Sequence, residues 1–141
     1  ESGFLHWGHD ISPEENQYQA GLSFTISTKK NVEFIGKKAL EKIKKKKIKR
    51  RFTIFSLKDS KPGEPLLLHD EPIYLGKTII GRTTSGNYSF NYNKSLSFGY
   101  IQTDYTNEEL TKMDLYIEVA KKKYLANVEA LPIKDKKIKY M

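Results

Sequence analysis

Short apolar runs separated by turn residues fill the chain beyond Arg50, and this pattern constrains the fold more than any other feature. A β-branched and aromatic stretch at 51–57 comes first, and a Lys-Pro-Gly-Glu-Pro turn cluster follows it at 61–65. The further runs occupy residues 66–68, 73–75, 78–84, 96–101, 115–119 and 123–130. Turn signals recur about every eight to fifteen residues, a spacing typical of a small antiparallel barrel or sandwich. Closure into a barrel would leave no exposed strand edge.

The part of the chain before residue 50 has a mixed character. Residues 1–10 combine aromatic side chains with glycines, which predicts an irregular, closely packed segment. The sequence Ser-Pro-Glu-Glu at 12–15 has the order of an N-cap followed by a first helical turn. Alternating apolar residues predict a half-buried strand over 21–27. A narrow apolar stripe flanked by lysines predicts a helix over about 36–47.

These patterns predict an α+β, mainly β chain, in which a small antiparallel β-barrel is preceded by a short αβ segment. The αβ segment comprises residues 1–49, the barrel residues 50–132, and a charged tail residues 133–141. A chain of 141 residues has room for one main core with an appended element, but not for a second full domain. We treat residues 107–113, which could form one helical turn, as a connection.

The chain contains no cysteine. This excludes disulfide frameworks, thiolate metal sites and cysteine nucleophiles, and it is natural in a reducing compartment. We therefore expect the cytoplasm, or the mitochondrial matrix in a eukaryote. Because the first residue is Glu1 rather than Met, we expect the chain to be part of a longer polypeptide. No apolar run approaches the length of a membrane span or a signal-peptide core, so we expect no membrane partner.

A net charge of +8, from 25 Lys and Arg against 17 Asp and Glu, favours anionic partners. One hypothesis is a nucleic-acid-binding barrel, in which bases stack on tyrosines over the basic run at 44–51. The lysines of that run, however, lie at a predicted helix end, away from most of the tyrosines. We therefore keep nucleic-acid binding as an alternative and expect no nucleic acid as a partner.

Residues with catalytic or metal-binding spacing are scarce. The three histidines show no metal-ligand spacing, although His6, His9 and Asp10 form a compact polar cluster. His9 is therefore a candidate for a structural or substrate-contacting role. Glycines after residue 75 precede no helix and cannot form a phosphate loop. We predict no catalytic residue and no metal site.

Glu1 and Trp7 form the one combination that suits a particular ligand chemistry. A carboxylate can accept two parallel hydrogen bonds from an amino-heterocycle, and an aromatic ring can stack on the same ligand. Pterins present such a face. The ordinary alternative is a solvated glutamate at a chain start and a tryptophan packed in a core.

Several sequence blocks occur in an order and spacing shared by one superfamily. They are ESGFLHWGHD at 1–10, QAGL at 19–22, FIGKKAL at 34–40, KRR at 49–51, IGRTTSGNYS at 80–89 and KSLSFGY at 94–100. Together they resemble the aminomethyltransferase (glycine cleavage T-protein) superfamily over about residues 1–130. Within it, the WGHD and TTSGNYS forms are more similar to dimethylglycine and sarcosine dehydrogenases.

The resemblance implies a chemistry and a cofactor. In these dehydrogenases a flavin (FAD) domain precedes a folate-binding region, and this chain would form the far end of that region. An N-methyl amine would be oxidised at the flavin to an iminium. Tetrahydrofolate would then capture the one-carbon unit as 5,10-methylenetetrahydrofolate.

The resemblance also implies site residues. Glu1 matches the family glutamate that hydrogen-bonds the pterin, and Trp7 matches an aromatic position at that site. Arg51 would position the folate or an interdomain contact, and Tyr88 lies in a turn block expected to pack against the folate region; with His9, these are the predicted folate-binding residues. The family's catalytic aspartate and the flavin-binding fingerprint find no match in this sequence. We therefore expect the chain to be inactive alone.

Two further hypotheses remain open. The chain could be the tail of a glycine cleavage aminomethyltransferase, which uses the same cofactor but receives its aminomethyl group from a lipoyl carrier. It could also be purely structural, a barrel that docks on upstream domains of the same polypeptide. Separation from those domains would expose an apolar face on residues 1–49, and self-association would be one way to cover it.

Overall fold

In a computed structural model, which describes residues 1–129, six strands form a closed antiparallel barrel. Strands β1 to β6 are Arg50–Leu57, Pro72–Leu75, Thr78–Ser89, Lys94–Gln102, Leu115–Val119 and Lys122–Glu129. Two α-helices accompany them, α1 (Lys37–Lys44) and α2 (Asn107–Leu110), together with a 3-10 turn at Ser23–Thr25. The mainly β fold and the barrel predicted from the sequence are confirmed.

The strands follow one another around the barrel in the order β1-β4-β3-β2-β5-β6, and β6 returns to β1. All six pairings are antiparallel. The described barrel therefore has no free edge strand that could recruit another chain. Closure also explains why so many short strands are stable, since each one is hydrogen-bonded on both sides.

Both faces of β1 and β4 are buried, although a strand presents alternate side chains to opposite faces. The barrel interior is filled by one apolar cluster that includes Phe55, Leu57, Ile73, Ile101, Leu115, Ile117, Ala126 and Val128. Ile54, adjacent to Phe55, belongs instead to a second cluster with Leu96 and Phe98 on the outer face. The outer face of these strands is therefore the floor of a second layer.

The second layer is the leading segment, residues 1–49. Its Gln19 carbonyl accepts a 2.7 Å hydrogen bond from the Phe52 amide, which lies beyond the end of the β1–β6 ladder. Its Asp10 carbonyl accepts a 2.9 Å hydrogen bond from the Tyr100 hydroxyl. Phe52 and Tyr100 are almost fully buried as a result. The segment thus contacts the barrel through polar bonds set among apolar side chains.

Within the leading segment, the helix prediction is confirmed and two other predictions need correction. Helix α1 follows Gly36, whose φ of 90° suits glycine. The expected strand at 21–27 is wrong, because this stretch has no ladder partner and forms the short 3-10 turn. At 12–15 the Ser12 hydroxyl and amide bond the Glu15 carboxylate as in a capping box, but a turn forms instead of a helix.

In the barrel the strand predictions at 51–57, 73–75, 96–101 and 115–119 are confirmed, and that at 123–130 is confirmed up to residue 129. The predicted strand at 66–68 is absent: Leu67 is buried between two exposed leucines, yet no ladder forms there. Strand β3 continues through the expected turn block to Ser89. Residues 107–110, treated as a connection, form α2 with a capping box between Thr106 and Glu109. Residues 130–132 of the predicted barrel and the predicted tail at 133–141 lie outside the described residues.

Strands β3 and β4 approach each other unusually closely at Gly81. A Cβ atom added there would lie 1.9 Å from the Tyr100 carbonyl oxygen, a backbone atom that cannot swing aside. Gly99 on the facing strand is similarly enclosed, since its added Cβ would lie 2.6 Å from the Arg82 carbonyl oxygen. Because neither glycine has a side chain, β3 and β4 can pair closely in the part of the barrel wall that carries Tyr100.

We predict that Gly81→Ala destabilises the chain by about 2–3 kcal/mol, because the new methyl group overlaps the backbone of β4. Denaturant unfolding would measure the change. Asn87→Ala, at an exposed position of the same strand, is the control and should change the free energy of unfolding by less than about 0.5 kcal/mol. Equal stability of Gly81→Ala and the wild type would contradict the close packing of β3 against β4.

Candidate functional site

The Glu1 carboxylate is fixed at the end of strand β3. It accepts hydrogen bonds from the Ser89 hydroxyl and, at 2.6 Å, from the Asn91 side-chain amide. The Ser89 hydrogen bond, assisted by Asn91, holds the pKa of Glu1 below its ordinary value against the opposing effect of burial. The carboxylate is therefore ionised and oriented at neutral pH.

A cavity of about 390 Å³ adjoins this carboxylate. Its walls come from the outer face of β1, β3 and β4, and the lining residues are Glu1, Ile54, Ser85, Gly86, Asn87, Tyr88, Ser89, Leu96, Ser97 and Phe98. The Tyr88 ring packs edge-on against Phe90, with centroids 5.2 Å apart. The cavity thus combines one ionised acceptor with aromatic and aliphatic walls, which suits a flat ligand that carries N–H donors.

Asp10 ties the segment that carries Glu1 to the barrel. Its side chain is 2% exposed, yet both carboxylate oxygens are bonded. One oxygen accepts from the hydroxyls of Thr84 (2.6 Å) and Ser85 (2.7 Å) on β3, and the other accepts from the His6 amide at 2.9 Å. Three donors offset the cost of burying a carboxylate. The sequence pattern indicates a polar cluster around Asp10 but not this role.

A second polar link lies beside Asp10. The Arg50 guanidinium donates to Glu15 at 2.8 Å and stacks on the Tyr100 ring, 4.1 Å from its centroid. Burial, with a further contribution from the Glu15 charge, raises the pKa of Tyr100 to about 12, so the hydroxyl stays protonated and can donate to Asp10. Burial raises the pKa of Glu15, but hydrogen bonds from Ser12 and Arg50 outweigh this effect. The pKa of Glu15 therefore lies below its ordinary value.

Of the five predicted site residues, the structure brings only Glu1 and Tyr88 to one cavity. Trp7 is 66% exposed and does not line that cavity, which contradicts the expectation that Glu1 and Trp7 share one. His9 is exposed, with its ring centroid 4.7 Å from that of His6. Tyr88 lies within strand β3 and not in a turn block. Whether these residues bind folate stays a prediction.

Arg51 faces away from this cavity. Its side chain donates to the Asn107 side chain at 2.8 Å and to the Tyr105 carbonyl, so it holds the start of α2 against β1. Burial lowers the pKa of Arg51. The family resemblance implies a role for Arg51 and none for Arg50, although alternation along β1 places Arg50 with Phe52 and Ile54 on the outer face.

Two negative findings apply to residues 1–129. No three His, Asp or Glu side chains come together in a group that could hold a metal ion. None of the described helices combines the length and apolar character needed to cross a membrane.

We predict that Asp10→Ala releases the leading segment from the barrel and destabilises the chain by about 2–4 kcal/mol, because three hydrogen bonds to a buried charge are lost. Hydrogen exchange should show faster exchange of residues 1–11 than in the wild type, and denaturant unfolding would give the free energy. Glu14→Ala, which removes an exposed carboxylate of the same segment, should change neither measurement. Unchanged exchange in Asp10→Ala would contradict the role assigned to Asp10.

Comparison with known proteins identifies relatives that are several times longer than this chain. The chain is 34% identical over 137 residues to the 4-methylaminobutanoate oxidase (formaldehyde-forming) of Paenarthrobacter nicotinovorans, a match that covers 97% of this chain and 16% of the relative. It is 37% identical to human mitochondrial dimethylglycine dehydrogenase, covering 72% of this chain and 11% of the relative. With the aminomethyltransferase of Symbiobacterium thermophilum it shares 33% identity over 67% of this chain and 24% of the relative. The chain therefore spans less than a quarter of each of these relatives.

A solved structure has the same fold. The glycine cleavage system aminomethyltransferase T of Bartonella henselae superposes with a TM-score of 0.76 at 20% identity, covering 93% of this chain and 35% of that one. The family model of the glycine cleavage T-protein C-terminal barrel domain matches residues 50–135. The chain therefore belongs to the glycine cleavage T-protein C-terminal barrel family.

Proposed function

We propose that this chain forms one wall of a tetrahydrofolate site in an enzyme similar to dimethylglycine and sarcosine dehydrogenases. The enzyme would pass a one-carbon unit to tetrahydrofolate and give 5,10-methylenetetrahydrofolate. The observation that carries the proposal is the ionised Glu1 carboxylate, fixed by Ser89 and Asn91 at the mouth of a cavity of about 390 Å³. Similarity to dehydrogenase relatives over most of the chain supports it.

The Glu1 site fits the chemistry of a pterin ring. Ser89 and Asn91 each use one lone pair, on different oxygens, and a carboxylate has about four lone-pair sites, so both oxygens can still accept N–H donors. A fixed, ionised acceptor suits the parallel N–H groups of the ring. Phe98 supplies an aromatic wall, Ile54 and Leu96 supply aliphatic ones, and Tyr88 contributes to the lining. In this proposal Trp7 makes no contact within the Glu1 cavity.

The residues of this chain would bind and orient the cofactor but would not carry out the reaction. Tetrahydrofolate, when bound, supplies the nitrogen atoms that accept the one-carbon unit. Glu1 would hold the ring through hydrogen bonds, and the apolar wall would exclude water from one of its faces. The catalytic aspartate and FAD would belong to other parts of the polypeptide, so we expect no turnover from this chain alone.

A glycine cleavage aminomethyltransferase is the second candidate. The similarity to the Symbiobacterium thermophilum aminomethyltransferase and the fold shared with the Bartonella henselae protein favour it. The two candidates share the proposed cofactor and differ in the donor of the one-carbon unit. A dinucleotide-binding sequence elsewhere in the polypeptide would favour the dehydrogenase. Either enzyme would suit the cytoplasm or the mitochondrial matrix.

We also propose that the leading segment contacts upstream domains of the same polypeptide. Large apolar side chains on it are exposed: Phe4, Trp7, Phe24, Val32 and Ile35. Exposed apolar residues concentrated on one segment typically mark a contact surface. When the upstream domains are absent, a second copy of the chain would cover the same residues.

The role of Glu1 in folate binding can be measured directly. Titrating the chain with tetrahydrofolate in a calorimeter should show saturable binding, and Glu1→Gln should weaken it at least about tenfold because the amide presents one acceptor oxygen instead of two. Glu14→Gln removes an exposed carboxylate elsewhere in the segment and should bind like the wild type. Equal affinities of Glu1→Gln and the wild type would remove the role of Glu1.

The exposed apolar residues of the leading segment should cause self-association. The chain should self-associate with rising concentration in analytical ultracentrifugation, and Phe24→Ser with Ile35→Ser should shift it to monomer by removing exposed apolar area. Leu66→Ser with Leu68→Ser, two exposed leucines outside the segment, is the matched control and should leave the association unchanged. A chain that stays monomeric at every concentration, or a control pair that acts equally, would argue against this contact surface.

A further inference from the structure

Strand β3 carries a row of three polar side chains on the outer face of the barrel. Ser85 and Asn87 pair with Phe98 and Leu96, which belong to the outer-face cluster on β4. Directly paired residues project to the same side of a sheet, and alternate residues of one strand share a face. Ser85, Asn87 and Ser89 therefore all point outward. The register is regular from Ser85 to Ser89, so neighbours in the row lie about 6.8 Å apart.

The two serines of this row hold two carboxylates of the leading segment. The first serine donates to Asp10 at 2.7 Å, and the last one donates to Glu1. Asn87 lies between them. Among residues 1–129 its side chain makes one hydrogen bond, in which Oδ1 accepts from the Tyr88 amide at 2.8 Å. The middle position of the row is therefore the one that can bond a ligand.

The Asn87 side chain contributes a hydrogen-bond donor to the Glu1 cavity. It lines that cavity, and its Oδ1 atom is already bonded to the neighbouring backbone amide. The other polar group of the side chain is its NH2 end, which has two N–H donors and no acceptor. Glu1, fixed on Ser89 two residues along the row, is an acceptor. One wall of the cavity thus presents an acceptor and a donor side by side.

This pair of groups selects one edge of a planar ring. The ligand must present N–H donors to the Glu1 carboxylate and, next to them, an acceptor to the Asn87 amide. The 2-amino-4-oxo edge of a pterin has this order, namely an amino group, a ring N–H and a carbonyl oxygen. An amino group in place of the carbonyl would set donor against donor and leave both without a partner, which disfavours binding.

We propose that Asn87 determines which pteridine the Glu1 cavity accepts, because its side-chain amide donates to the 4-oxo group of the ring. The inference rests on the proposed folate function, in which Glu1 holds the amino edge of the same ring. Asn87 binds and orients the ring and takes no part in the transfer of the one-carbon unit. Because Asn87 is exposed, water can partly replace a lost hydrogen bond, so moderate changes in affinity are expected.

Calorimetric titrations with tetrahydropterin and with its 4-amino analogue test the role of Asn87. Neither compound has a glutamate tail, so both report on the ring site alone. The wild type should bind tetrahydropterin more tightly than the analogue. Asn87→Asp replaces the amide donor by an acceptor of nearly the same shape, so it should weaken binding of tetrahydropterin and strengthen that of the analogue. The ratio of the two affinities should change at least about tenfold.

Asn93→Asp is the matched control. Asn93 is exposed in the turn after β3 and does not line the Glu1 cavity, and the substitution adds the same charge. Its φ of 52° is a conformation that Asp tolerates as well as Asn does. This variant should keep the wild-type ratio of the two affinities. Asn87→Ala, which removes the donor without adding charge, should weaken binding of tetrahydropterin about fivefold and leave that of the analogue nearly unchanged.

The outcomes separate this inference from the folate proposal. If the wild type binds tetrahydropterin and Asn87→Asp shows the same ratio, or if Asn93→Asp changes the ratio equally, the role of Asn87 is overturned and that of Glu1 is unaffected. If the wild type binds neither compound, the folate function itself is overturned, and this inference with it. Far-UV circular dichroism confirms that each variant is folded.

Discussion

The hydrogen bonds of the buried Asp10 carboxylate fix the relation between the leading segment and the barrel. Without a partner, a carboxylate that is 2% exposed would be costly, so the three donors that reach it must be present together. Two of these donors come from β3 and one from the leading segment itself. The carboxylate therefore holds residues 1–10 in one position on the barrel, and Glu1 meets Ser89 as a consequence.

The barrel supports the leading segment through β1 and β4, both faces of which are buried. Phe55 and Ile101 fill the interior, whereas Phe52, Ile54 and Tyr100 lie under the leading segment. Residues 52–57 and 95–101 of these strands are accordingly all apolar or small and uncharged, because neither face is left to solvent. The Glu1 cavity lies where this second layer covers the outer face incompletely, which is why its walls are strand residues and its charged rim belongs to the leading segment.

Sequence patterns predicted those parts of the fold that depend on local periodicity. Five of the six strands were located by their short apolar or β-branched and aromatic runs between turn residues, the sixth up to the end of the described residues, and α1 by its apolar stripe. Residues 21–27 alternate and residues 66–68 form an apolar run, but neither stretch finds a ladder partner, and partners are a property of the tertiary fold. The resemblance placed Tyr88 in a turn block, but this block continues strand β3 to Ser89. Gly86 lies within β3, where an added Cβ would lie 2.6 Å from the Leu67 Cβ.

The candidate site was less predictable than the fold, for a physical reason. The resemblance supplied Glu1, Trp7 and Tyr88; Glu1 and Tyr88 meet at one cavity, whereas Trp7 is largely exposed and does not line it. Arg50 and Arg51 are indistinguishable as residue types. Only the face of β1 on which each lies separates the arginine that stacks on Tyr100 from the one that holds α2.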